Sequence, residues 1–335
     1  MLRDLTFAQW KGVLCVILLA GLVSSCLRLP PVLGDGSVTK IDWQMLEWSG
    51  IERVYGIYVP ETVLDPAPLV FVLHGGGGSA SKTWSQEHGR SWQALADEHG
   101  FVLVLPEGIS DPGDTSGHHW NDCRTGLDPA VIATTEDDVG FIMQLIENVS
   151  TTTAIDAARV YATGASNGGM MTYRLAIEAG QQFAAVAAII ANLPDPSACG
   201  QPSVPIPMLI MNGTDDPVMP DDGGCVANAS CQRGRVLSTL DTVSFWVGAN
   251  GAASDPTVVR LPNRAWFDNS RVTVYRFDGG SQGADVIYYR VLGGGHNVPG
   301  FESDSRIARA IAGPKNRDID GPTEIWAFFQ RYEQP

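Results

Sequence analysis

Two kinds of hydrophobic pattern alternate along the chain. Short β-rich runs predict strands at Val54–Val59, Leu69–His74, Phe101–Pro106, Arg159–Thr163, Phe183–Ile190 and Pro207–Asn212. Between them, apolar residues recur at helical spacing over Ser91–His99, Asp137–Asn148, Asn167–Ala179 and Val236–Asn250. LVFVL, FVLVL and PMLIM are apolar throughout and do not alternate, a pattern that suits strands covered on both faces. Strand–helix alternation of this kind predicts an α/β fold with a mostly parallel central sheet flanked by helices. A hairpin-like pair, Arg271–Phe277 and Asp285–Leu292, and a closing helix near Thr323–Tyr332 complete the pattern. No repeat and no interdomain linker follows residue 45, so the rest reads as a single domain.

The N-terminus has the pattern of an address. Arg3 and Lys11 precede the apolar stretch GVLCVILLAGLV (residues 12–23), and Ser24 and Ser25 lead to Cys26. That stretch is well short of the roughly 20 residues a bilayer-spanning helix needs. It fits a signal-peptide core, and Val23-Ser24-Ser25-Cys26 resembles a lipobox in which the cysteine carries the lipid. We therefore expect a signal peptide over 1–25, a tether over 26–45 and the α/β domain over 46–335. The product is either lipid-anchored at Cys26 or freely secreted, with no other membrane contact.

Composition narrows the field. Lys and Arg number 22 against 37 Asp and Glu, a formal net charge of -15. A nucleic-acid partner would require a basic footprint, so none is expected. Of six cysteines, Cys15 leaves with the leader and Cys26 is the lipidation candidate. Cys123, Cys199, Cys225 and Cys231 remain, enough for two disulfides in an oxidising compartment, with three connectivities open. Cys225 and Cys231 could close a small loop, leaving Cys123 with Cys199. Without CxxC or HxxxH spacing, no metal is expected.

Two GxSxG matches occur. Gly164-Ala165-Ser166-Asn167-Gly168 follows the β-rich run RVYAT and opens a helical stretch, the strand-to-helix setting of a nucleophile elbow. Gly279-Gly280-Ser281-Gln282-Gly283 joins two β-rich runs and reads as a hairpin loop. A serine needs a base to take its proton. His296, in the loop Gly293-Gly294-Gly295-His296-Asn297 near the C-terminus, has the best setting, and the glycines suggest a flexible loop carrying the imidazole over the sheet edge. The order Ser, acid, His then requires a carboxylate between them. Asp215 and Asp216 both follow the apolar run Met208–Met211, and spacing does not choose between them. Oxyanion donors are expected from the amide of Asn167 and from the loop His74-Gly75-Gly76-Gly77-Gly78, with His74 holding that loop. A phosphate loop is excluded because no Gly-Lys-Ser/Thr follows. Glu136-Asp137-Asp138 reads as a helix cap and dipole complement.

With these residues in place, the chain resembles the polyhydroxybutyrate depolymerase family of secreted α/β-hydrolase esterases, which includes feruloyl esterase-like members. The resemblance runs from about Val54 to Phe329 through LVFVLHGGGGSA, His119-Trp120-Asn121, EDDVGF, RVYATGASNGGMMTYRLA, NGTDDPVMP, GGGHNVPG and DIDGPTEIWAFF. It implies an α/β-hydrolase fold, a Ser166–His296–Asp216 triad, Asp216 in preference to Asp215, and oxyanion donors at Gly76 and Asn167. It implies no cofactor. Asn212 stands where members commonly have His and reads as structural. Val298 stands where members commonly have Trp, which weakens the case for a pocket that stacks on an aromatic acyl group; Trp120, Trp266 or Trp84 could supply such a surface instead. The implied substrate is a hydroxyalkanoate polyester or its oligomers, with dissolved oligomers or small esters favoured because no further binding module follows. A feruloyl or acetyl-xylan ester is the alternative. A surface-tethered binding lipoprotein on a retired hydrolase fold is the alternative from another class.

Overall fold

The computed structural model describes residues 41–110, 117–128, 135–227 and 229–334. The expected leader, Cys26 and most of the tether lie outside the described residues. Among the described helices, none is long and apolar enough to cross a membrane.

Ten strands form one sheet. They are β1 (Asp42–Trp48), β2 (Ile51–Tyr58), β3 (Ala67–Leu73), β4 (Val102–Pro106), β5 (Ile155–Ala165), β6 (Ala185–Ile189), β7 (Met208–Gly213), β8 (Thr257–Arg260), β9 (Arg271–Phe277) and β10 (Val286–Leu292). Their spatial order is β1-β2-β4-β3-β5-β6-β7-β10-β9-β8. The six central strands, β4 to β10, run parallel, with an antiparallel pair at each edge. This is the mostly parallel α/β sheet that the continuous apolar runs imply.

Burial explains those runs. Every residue of β3 is buried, but its side chains divide between two cores. Leu69, Phe71 and Leu73 enter one cluster, and Val70 and Val72 enter the other. The first is closed by α3 (Asp138–Ser150), α4 (Asn167–Ala179) and α5 (Thr239–Asn250), through Phe141, Tyr173 and Trp246. The second is closed by α1 (Ala80–Ser85), α2 (Glu87–His99) and α7 (Gly321–Phe329), through Trp84, Trp92 and Phe329. The remaining helix, α6 (Arg306–Ala312), buries no residue. The described residues form one unit.

Three details differ from expectation. The sheet already begins at Asp42, inside the segment read as tether. β1 is mostly exposed, so it carries no apolar run to announce it. Asp138 does more than complement a helix dipole: it is fully buried and forms a 2.7 Å ion pair with buried Arg53. Burial pushes its carboxyl up, and Arg53 counteracts that by favouring the charged form. Only Asp137 caps the helix, accepting from Gly140 N–H at 2.8 Å. Ser281 sits in the turn between antiparallel β9 and β10, as expected of a hairpin loop. Trp84 is core, tilted against Tyr58.

Candidate active site

Ser166 stands where β5 meets α4, at φ 56° and ψ -121°. That left-handed backbone is costly for a residue with a Cβ, and it persists because neighbouring chains determine it. The flanking glycines show how. A Cβ on Gly164 would lie 2.4 Å from the Gly168 carbonyl oxygen, and one on Gly168 would lie 2.5–2.6 Å from the His74 and Leu73 carbonyls. The GxSxG spacing thus lets β3, β5 and α4 meet closely enough to force the turn. Ser166 makes no side-chain capping bond to α4, leaving its hydroxyl uncommitted to the helix.

Asp216 follows β7, is 8% exposed and is held at both oxygens. Oδ1 accepts from the amides of Val218 and Met219, each at 2.7 Å, while Oδ2 lies 2.7 Å from His296 Nδ1. Asp215 instead takes a 3.0 Å bond from its neighbour Thr214 Oγ1. His296 lies beyond β10 on a fastened loop, in contrast to the flexible one its glycines suggest. Its amide donates to Ala312 O at 2.5 Å, and Gly295 N–H donates to Pro314 O at 2.6 Å. A Cβ on Gly295 would sit 2.2 Å from Ala312 O, so the glycine serves close approach.

His296 and Ser166 line one cleft of about 800 Å³. Among the described residues, no hydrogen bond joins the serine hydroxyl to the imidazole; such bonds are often loose before substrate is bound. The cleft is walled by the 74–78 loop, by α1 and the start of α2, and by the segment from His296 to Lys315.

The 74–78 loop is built around a neutral histidine. His74 Nδ1 donates to Gly75 O at 2.8 Å, and Nε2 accepts from Gly108 N–H at 2.9 Å. Burial pushes its pKa down to about 3, so its 3.2 Å approach to Glu107 is not an ion pair. This matches the structural role expected of it. Gly76 faces the start of α4: a Cβ there would meet the His119 ring at 2.8–2.9 Å and Asn167 Cβ at 3.2 Å. The structure therefore packs Gly76 against Asn167, and the amide of Asn167 starts a helix where no intrahelical acceptor reaches it.

The Asn167 side chain, 3% exposed, is fully engaged. Its Oδ1 accepts from Trp120 N–H at 2.8 Å, and its Nδ2 donates to Trp120 O at 3.0 Å and to Asp122 Oδ2 at 2.5 Å. Asp122 is paired with buried Arg124 at 2.8 Å. Sequence reasoning missed Asp122 and Arg124, which carry no motif of their own.

The aromatic candidates fare differently. Trp120 is 1% exposed and donates its indole N–H to His74 O at 2.9 Å, so it supports the loop from behind and does not line the cleft. Trp266 is 77% exposed and also lies outside the lining. Val298 does line it. Asn212 is buried and bonded to Ala191, Asn192 and Thr239, a structural role. Cys123 pairs with Cys199 and Cys225 with Cys231. A third side chain, Glu178, approaches the first pair, but both sulfurs are committed to the disulfide and are not free as metal ligands.

The sequence profile of the family described as esterase PHB depolymerase matches residues 53–192. The protein named "Putative esterase NocK", from Nocardia uniformis subsp. tsuyamanensis, is 35% identical over 260 residues, covering 75% of this chain and 71% of NocK. The chain belongs to the PHB depolymerase esterase family. Feruloyl esterase C of Emericella nidulans is 30% identical over 191 residues, 54% of this chain and 63% of that protein. The acetyl xylan esterase from Aspergillus awamori superposes with a TM-score of 0.53 at 16% identity, covering 86% of this chain and 98% of that one. This likeness establishes the α/β-hydrolase fold. As a member of the PHB depolymerase esterase family, the chain is an ester hydrolase.

Proposed function

We propose that this ester hydrolase is a serine esterase whose nucleophile is Ser166. His296 takes the hydroxyl proton as Ser166 Oγ bonds to the ester carbonyl carbon, and the carbonyl pair moves onto oxygen. The amides of Gly76 and Asn167 hold that oxyanion. Asp216 orients the imidazole and stabilises its charged form. Collapse breaks the ester C–O bond, His296 protonates the departing alcohol, and water then hydrolyses the acyl-enzyme by the same relay. The observation that carries this reading is the 2.7 Å contact by which buried Asp216 holds His296, which lines one cleft with the strained Ser166. The test is p-nitrophenyl butyrate turnover beside Ser166→Ala. Activity in the parent lost with the hydroxyl supports the reading. A parent that hydrolyses no ester favours the non-catalytic binding alternative.

For substrate we propose a hydroxyalkanoate ester. The family's name points to polyester, and the cleft agrees: among its described lining residues Trp92 alone is Phe, Tyr or Trp, and it is 3% exposed. A ferulate ring would find little aromatic surface there. Feruloyl and acetyl-xylan esters remain the second reading, supported by the Emericella relative's name. Turnover of 3-hydroxybutyrate oligomers against methyl ferulate ranks the two.

We also propose export, with Cys26 as lipid anchor or new soluble N-terminus. The two disulfides support an oxidising destination. Mass spectrometry of the processed N-terminus tests it.

A further inference from the structure

The turn carrying Trp266 and Phe267 is held by an unusual amount of buried polar structure. Asp318 Oδ1 accepts from the amides of Arg264 and Ala265 at 2.7 and 2.9 Å. Asp268 accepts from the amide and hydroxyl of Ser270 and from the amide of Arg317, all at 2.7–2.8 Å. Asn316 closes the network by donating to Ser270 Oγ at 2.7 Å. These four side chains are 1–4% exposed, yet they hold out a tryptophan that is 77% exposed and a phenylalanine that is 53% exposed. Large aromatic groups left in water on a rigid turn cost solvation free energy, and such patches mark surfaces that meet something apolar.

Arg317 links the pair to the edge of the cleft wall. The Arg317 guanidinium lies 5.1 Å from the Phe267 ring centroid and donates to Phe301 O at 2.6 and 2.9 Å. Phe301 is 41% exposed, and its neighbour Glu302 lines the cleft. From there the same wall carries α6, which holds Ile307 and Ile311 out at 74% and 68% exposure, with Ile311 also in the lining.

We propose that this rim, from Trp266 and Phe267 to α6, adsorbs the enzyme to the apolar surface of a condensed hydroxyalkanoate polyester; the proposal rests on the substrate reading above. Two features choose that occupant. Trp266 and Phe267 meet edge to face, at 82° and 5.9 Å, so they offer no coplanar platform for the flat faces of successive sugar rings. Farther along the wall, the exposed Ile307 and Ile311 of α6 are aliphatic, matching a methyl-bearing polymer. A chain with formal net charge -15 is also repelled by acidic polymers and is indifferent to an uncharged one. This extends the expectation of dissolved oligomers: the rim places the cleft beside insoluble polymer as well.

The experiment measures adsorption of Ser166→Ala protein to poly(3-hydroxybutyrate) particles and to insoluble xylan, with and without Trp266→Ala/Phe267→Ala. The double substitution is expected to weaken particle binding about tenfold or more, while p-nitrophenyl butyrate turnover in the Ser166 background and the melting temperature hold. Equal adsorption with and without the aromatic pair overturns the proposal and leaves the catalytic reading intact. Adsorption to xylan in preference to polyester overturns the occupant. A parent that dimerises in sedimentation, with a monomeric double variant, assigns the rim to a second copy and overturns it too. Turnover of dissolved 3-hydroxybutyrate oligomers by the Ser166 enzyme is measured separately, so failure of the substrate reading is seen independently.

Discussion

The side chain of Asn167 grips the main chain of Trp120 at both its N–H, at 2.8 Å, and its carbonyl, at 3.0 Å. The residue that opens α4 is thereby tied to the strip that backs the 74–78 loop, and Asp122 fixes the remaining donor. Both proposed oxyanion amides are set against this strip.

Asn167→Ala should keep its own main-chain amide but lose its placement. We expect kcat to fall about tenfold to a hundredfold with KM little changed. Affinity for a boronic acid transition-state analogue should fall in parallel. A merely structural role would lower stability without moving the analogue's affinity relative to substrate.

Asp216 and Asp215 are adjacent, and only the first contacts His296. Asp216→Asn should reduce kcat about 10⁴-fold, the cost of a wrongly oriented imidazole. Asp215→Asn should stay within about threefold of the parent, given how little a surface change usually disturbs. Steady-state kinetics on p-nitrophenyl butyrate separates the two.

His74 makes stability depend on pH. Its folded pKa, down to about 3, lies below its ordinary 6.5, so the unfolded chain binds the extra proton first. The contribution is full above pH 6.5 and is lost as pH falls toward the folded value, at a slope of at most about 1.4 kcal/mol per pH unit. Urea midpoints should therefore drop between pH 7 and pH 4. A flat profile over that window would contradict a buried neutral imidazole.

Arg53 and Asp138 are a buried pair, 2–3% and 0% exposed, with the guanidinium 4.1 Å from the Phe141 ring centroid. Removing only the cation, as Arg53→Met, should cost about 3–5 kcal/mol by stranding the carboxylate. Adding Asp138→Asn should recover part of that loss. Chemical denaturation of the single and double variants measures the coupling.

Much of the fold is legible in the sequence. Continuous apolar runs revealed the parallel strands because both faces of a central strand are covered. The strand–Ser166–helix junction and the Asp216 and His296 loops were also marked by order and context. What escaped had no one-dimensional signature. β1 is mostly exposed and shows no apolar run. Trp120 and Trp266 look alike in sequence, although one is sealed behind a loop and the other stands in solvent. Arg53–Asp138 and Asn167–Asp122 join residues 85 and 45 positions apart, a pairing only the folded chain defines.

The bond from His296 N–H to Ala312 O ties the loop that carries the imidazole to the end of α6, in the same wall of the cleft. A bulky ester cannot be admitted by swinging that wall aside without dragging His296, the proposed base, out of register. Widening the binding site is therefore a matter of trimming side chains such as Val298 and Ile311 in place, and shortening the backbone between His296 and Gly313 would trade capacity for turnover.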